Sequence, residues 1–173
     1  MTTIAYKAGH MSCDSCWTYG HVQTVSQVKI TRLSSGALLG QAGDNDARAI
    51  EEILDRVKKP SMLPSREALQ NTKVDFYGLL VLPGERIFHI ATARTDDQGW
   101  VKEDEDDAGV WEGNRNIAAA GSGSLLALGA MDAGVSAAVA VRIACRWDIN
   151  SRLPVHTLSL ITPPKKILTR KPK

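Results

Sequence analysis

Apolar and polar positions near the start of the chain predict a hairpin. Residues 2–7 combine two threonines with Ile4 and Tyr6 and read as a strand. Ala8-Gly9-His10 reads as a turn, and residues 11–17 return as a second strand. A turn centred near residues 8 and 9 pairs positions whose numbers sum to about 17. Asp14 then faces Thr3 and lies beside Thr2. Residues 21–33 are mostly extended, with Val28, Ile30 and Leu33 apolar and Lys29 among them; Ser34-Ser35-Gly36 turns the chain into a small-residue strand over 37–42.

Helical spacing takes over in residues 45–59, where Ala49, Ile50, Ile53, Leu54 and Val57 recur behind Asp44 as a cap, and Pro60 and Pro64 end the element. Residues 74–82 and 86–93 predict another hairpin around Pro83-Gly84-Glu85. The acidic run at 102–107 reads as a solvated loop. Residues 117–120 lead into Gly121-Ser122-Gly123-Ser124, which opens a helix toward Ala133; a second helix spans 136–147, and 155–161 is a closing strand. Antiparallel hairpins on either side of helical blocks predict an α+β chain, two stacked sheets with helices on their outer faces.

With 173 residues, 43% hydrophobic and 23% charged, the chain fits one soluble domain over 1–162 and a basic tail over 163–173. The last eleven residues hold five of the 21 basic side chains, leaving 16 against 19 acidic ones in the body. An acidic body with a short basic tail does not suit nucleic-acid binding. Residues 117–141 are rich in Ala, Gly and Leu, but Asp132 at mid-bilayer would cost roughly 2.5–3.5 kcal/mol, so two closely packed soluble helices are expected instead of a membrane span. The absence of a signal-peptide layout and three cysteines, an odd number, point to a reducing, cytoplasmic setting.

Two constellations carry chemistry. Thr2 is small, so removal of Met1 leaves a terminal threonine whose α-amine, with a pKa of about 7.7–8.0, can take the proton of its own hydroxyl as that hydroxyl attacks a carbonyl. The rival is His10, Cys13, Cys16 and His21, four metal ligands or a thiol pair within twelve residues. Strand alternation sends Cys13 and Cys16 to opposite faces, which opposes a zinc knuckle.

Met-Thr-Thr-Ile, an aspartate a dozen residues on, Lys29-Ile30-Thr31-Arg32-Leu33, Gly40-Gln41-Ala42-Gly43-Asp44 before a helix, and Ala120-Gly121-Ser122-Gly123 opening a late helix come in one order. Together they resemble the N-terminal-nucleophile (Ntn) hydrolases, within them the proteasome β-subunit branch and the bacterial HslV peptidase. The resemblance is best over residues 1–58 and 117–161. It implies a four-layer αββα sandwich and a threonine peptidase with Thr2 as nucleophile. Lys29 would lie beside the threonine hydroxyl, lowering its pKa and sharing its proton, with Asp14 pairing that ammonium. Gly43 would supply an oxyanion-hole amide, and Ser122 would hold the terminal amine and a water, with Asp148 and Ser151 as a later aspartate and serine. No cofactor and no metal are implied. The expected partners are peptide or unfolded-protein substrates, further copies in a stacked ring, and an unfolding ATPase. A non-catalytic assembly protein of the same fold is the alternative within the family. Three departures stand out: the interval from Thr2 to Asp14 is short, Ser15 replaces the glycine after the aspartate, and only one good helix follows Gly43.

Overall fold

A computed structural model of the chain describes residues 2–19, 22–25, 27–43, 47–92, 109–113 and 116–160. Its strands are β1 (Thr3–Lys7), β2 (His10–Cys13), β3 (Cys16–Tyr19), β4 (Val22–Val25), β5 (Ile30–Arg32), β6 (Leu38–Gly43), β7 (Phe76–Leu82), β8 (Arg86–Ala91), β9 (Gly109–Glu112), β10 (Ile117–Gly121) and β11 (His156–Ser159). Its helices are α1 (Arg48–Asp55), α2 (Arg66–Gln70), α3 (Ser124–Asp132) and α4 (Ala137–Trp147), with a 3-10 turn at Pro60–Met62. One sheet runs β10-β1-β2-β11 and another β5-β6-β7-β8-β9, both antiparallel, while β3 and β4 form a separate hairpin.

Two-residue alternation stacks these sheets. On β1, Ile4 and Tyr6 face the second sheet while Ala5 faces α3 and α4. On β7, Leu79 and Val81 face the first sheet while Leu80 and Leu82 meet Ile50, Leu54 and Leu69 from α1 and α2. Both strands are buried on both faces, and β7 accordingly reads as a nearly continuous apolar run. Three apolar layers therefore separate four structural layers, helix, sheet, sheet and helix. Each fully buried Leu or Ile contributes about 1.5–3 kcal/mol. Among the described residues no helix is long and apolar enough to cross a membrane.

The first hairpin has the expected register: Ile4 faces Cys13, Tyr6 faces Met11, and Asp14 N–H donates to Thr3 O at 3.1 Å. Its turn places Ala8 and Gly9 at φ of 47° and 77°, both left-handed, as a twisted two-residue turn requires.

Several expected elements differ. The strand over 11–17 breaks at Asp14-Ser15, because Ser15 N–H turns away to Arg152 O (2.9 Å) and Cys16 N–H to the Asp14 carboxylate (2.8 Å). The argument from alternation about Cys13 and Cys16 therefore has no continuous strand to rest on; both side chains are fully buried. The helix after Gly43 is shorter than 45–59, with Ala47 at its cap position; Asp44 lies outside the described residues. A second helix does follow it, α2, capped by Ser65 Oγ accepting from Ala68 N–H at 3.2 Å, which removes one departure noted above. Residues 117–121 form a full strand against β1 instead of a lead-in, and β9 was not expected. The acidic run at 102–107 and the tail over 163–173 lie outside the described residues.

Candidate active site

The end of β1 where the chain starts is polar and buried. Thr2 is 4% exposed, and Thr3, Asp14, Ser15 and Ser151 are fully buried. Asp14 sits where the second strand breaks, which frees its carboxylate to collect donors from four residues. Oδ1 accepts from Thr3 N–H (2.8 Å) and from Lys29 Nζ (2.9 Å). Oδ2 accepts from Cys16 N–H (2.8 Å) and Arg152 N–H (3.1 Å). Lys29, 3% exposed, thus forms a buried ion pair, and its ammonium lies one oxygen atom away from the peptide joining Thr2 to Thr3. Removing one partner of such a pair costs about 3–5 kcal/mol, because the other charge stays buried alone. Lys29 lies between the apolar Val28 and Ile30 in sequence, and its side chain ends on the Asp14 carboxylate, the pairing expected from the resemblance.

A second carboxylate closes the opposite side. Asp148 follows α4, its N–H donating to Ala144 O at 2.8 Å. Its Oδ2 accepts from Ser151 Oγ (2.6 Å) and Ser122 Oγ (2.7 Å), and Oδ1 from Asn150 N–H (3.1 Å). Partial burial pushes its pKa up, but the hydrogen bonds from Ser151, Ser122 and Asn150 outweigh that and hold it below the ordinary carboxylate value. They also hold a negative charge at a helix C-terminus, where the macrodipole disfavours one.

Two glycines bring this cluster to β1. Gly121 pairs with Thr3 and has φ of +90°; a Cβ there would fall 2.0 Å from Thr2 O. A Cβ on Gly123 would fall 2.0 Å from Thr3 Oγ1 and 3.2 Å from Asp148 Oδ2. Ser122 Oγ lies 3.4 Å from Thr2 O, though its proton goes to the shorter bond with Asp148.

Of the residues expected at the site from the sequence, Asp14 pairs with Lys29, and Ser122 and Ser151 meet on Asp148. Thr2 adjoins both groups, through its peptide with Thr3 to Asp14 and through its carbonyl, 3.4 Å from Ser122 Oγ. Thr3 joins them: its N–H is bound by Asp14, and its hydroxyl meets Ser151 Oγ at 2.6 Å. Gly43 ends β6 opposite Phe76, two residues beyond Gln41, whose N–H donates to Lys29 O at 2.9 Å. Sequence reasoning missed Thr3 and Arg152. Thr3 was legible only as the second residue of a Thr-Thr pair, and Arg152 leaves no side-chain signal because its contribution to Asp14 is a backbone amide.

The cysteine-histidine cluster does not assemble in the same way. His10 is exposed at one end of β2 and Cys13 is buried at the other; His21 lies outside the described residues. Among the described residues no group of three or more His, Cys, Asp or Glu is placed to hold a metal ion. Burial pushes the Cys13 thiol up to about 11, which keeps it protonated and a weak nucleophile at neutral pH.

The stacked sheets, the helical outer layers and this buried polar end of β1 together define an Ntn-hydrolase fold of the proteasome β-subunit and HslV type. Comparison with solved structures agrees. HslV from Trypanosoma brucei superposes with a TM-score of 0.63 at 21% identity, covering 91% of this chain and 98% of that one. A Thiobacillus denitrificans BPH in complex with epoxomicin gives 0.60 at 21% identity (93% and 99% covered), and the same BPH alone gives 0.59 at 22% (94% and 99%). No protein-family model matches the chain, and no curated protein matches it by sequence.

Proposed function

We propose that the chain is a threonine peptidase in which Thr2, freed by removal of Met1, is the nucleophile. The observation that carries this is the shared oxygen of Asp14, which ties the Lys29 ammonium and the peptide after Thr2 to one atom. In the proposed reaction the Thr2 hydroxyl attacks the scissile carbonyl and its proton passes to the Thr2 α-amine. The neighbouring Lys29 charge favours the developing alkoxide. Collapse of the tetrahedral intermediate leaves an ester on Thr2 and expels the amine of the departing peptide, which takes that proton. Water then hydrolyses the ester and restores the hydroxyl. Gly43 is assigned the oxyanion amide, and Ser122, Asp148 and Ser151 the setting of the terminal amine. Further proposals are one domain over 1–162, a ring of copies enclosing the sites, as the resemblance to HslV supports, an unfolding ATPase as partner, and a cytoplasmic location.

The test has three readings. Purified protein should have an intact mass one methionine below the full chain. It should hydrolyse a peptide pool and be inhibited by epoxomicin, and Thr2→Ala should lose hydrolysis while keeping assembly. Hydrolysis that survives Thr2→Ala would refute the assignment, and a processed, assembled protein inert to every peptide would favour a non-catalytic assembly role.

A further inference from the structure

The residue after the proposed nucleophile is held at every polar atom. Thr3 N–H donates to Asp14 Oδ1 (2.8 Å), Thr3 O accepts from Asp14 N–H (3.1 Å), and its hydroxyl lies 2.6 Å from Ser151 Oγ. The proton order in this last contact follows from the carboxylate beyond it. An ionised carboxylate only accepts, so Ser151 gives its single proton to Asp148 Oδ2 at 2.6 Å. Ser151 then has only lone pairs left for Thr3, and the Thr3 hydroxyl must be the donor. The chain runs one way, from Thr3 to Ser151 to Asp148, whose second hydroxyl partner is Ser122.

This hydroxyl does something the backbone bonds do not. Both backbone groups of Thr3 are tied to Asp14, on the Lys29 side. The hydroxyl is the tie from Thr3 to the Asp148 side, and Gly123 leaves it just enough room. A β-branched side chain has few χ1 choices, so fixing Oγ1 also fixes the residue's backbone orientation. We propose that Thr3 is a positioning residue, its hydroxyl locking the Thr2–Thr3 peptide between the two carboxylate clusters so that Thr2 meets substrate in one orientation. This rests on Thr2 being the nucleophile.

The substitution Thr3→Val removes the donor and keeps the shape. Misplacing a reacting group by about 1 Å can cost about 10²-fold, so kcat should fall about 10–100-fold with KM nearly unchanged. Thr3→Ser, which keeps the oxygen, should restore most of the rate. A purely structural role would instead follow the methyl group, with Thr3→Val harmless and Thr3→Ser impaired, and that pattern overturns the proposal. Should Thr3→Val not fold, Thr3→Ser and Thr3→Ala separate the hydroxyl from the methyl: Thr3→Ser should exceed Thr3→Ala about 10–100-fold in kcat at constant KM, and equal rates overturn the proposal. A wild-type protein that hydrolyses nothing overturns the Thr2 assignment and this one together. Active wild type with an unaffected Thr3→Val overturns this one alone.

Discussion

The two helical layers are built from residues of different size. Between α3, α4 and the first sheet the contacts are mainly alanines, Ala5 and Ala119 on the sheet against Ala127, Ala137 and Ala140 on the helices. Between α1, α2 and the second sheet they are Ile50, Leu54 and Leu69 against Phe76, Leu80 and Phe88. Small side chains let a helix lie close to a sheet, and the ends of α3 and α4 carry Ser122 and Asp148 onto β1. Larger side chains bury more area and stabilise more per residue. Each of Ser122, Asp148 and Ser151 adjoins the alanine layer. The leucine layer includes none of the expected site residues; Gly43 ends β6, the strand that contributes Leu39 to it. Closeness here serves positioning, and bulk serves stability.

Substitutions should separate these roles. Lys29→Met should have the largest effect: about 10²–10⁴-fold in kcat/KM from loss of the ammonium, and about 3–5 kcal/mol in urea unfolding, since Asp14 is left buried without its counter-ion. Leu54→Ala, in the leucine layer, should cost about 2–5 kcal/mol in the same unfolding measurement. Its kcat, measured where the protein remains folded, should stay close to wild type. Gly123→Ala should do the reverse. The new Cβ meets Thr3 Oγ1 at 2.0 Å, so kcat should fall about 10²-fold, while overpacking costs only about 1–3 kcal/mol. A Gly123→Ala enzyme with normal kcat, or a Leu54→Ala enzyme with lost kcat but normal stability, would dissolve the division.

Acid gives the smallest effect. Asp148 has a lowered pKa in the folded chain, so its stabilising contribution is complete above the unfolded value of about 3.9 and is lost as pH falls through the lowered one. Urea midpoints of wild type and Asp148→Asn should therefore differ by a constant amount from pH 7 to pH 5 and converge below about pH 4. A gap that stays constant through acid would mean that the hydrogen bonds do not favour the ionised form.

The elements legible in the sequence are those set by local chemistry. The Ala8-Gly9 turn gave the hairpin register and put Asp14 opposite Thr3, and Ser136 with the periodicity after it marked α4, where Ser136 Oγ accepts from Val139 N–H at 3.4 Å. Distant partners decided the rest. The break at Asp14 depends on the Arg152 backbone, 138 residues away, and residues 117–121 are largely alanine, poor strand formers that pair only because β1 lies beside them. The short α2 was hidden between Pro64 and a polar stretch. At the site, Asp14 and Lys29 were recoverable because charge and order mark them, whereas Thr3 acts through atoms that most residues share, an amide, a carbonyl and a hydroxyl.

The most direct test of the central assignment is to quench the enzyme in acid during peptide turnover and locate any attached acyl group by peptide mass spectrometry. The acyl mass is predicted on Thr2 at the new N-terminus. The same mass on Cys13, Cys16 or Cys145, or turnover with Thr2 still behind Met1, would contradict it.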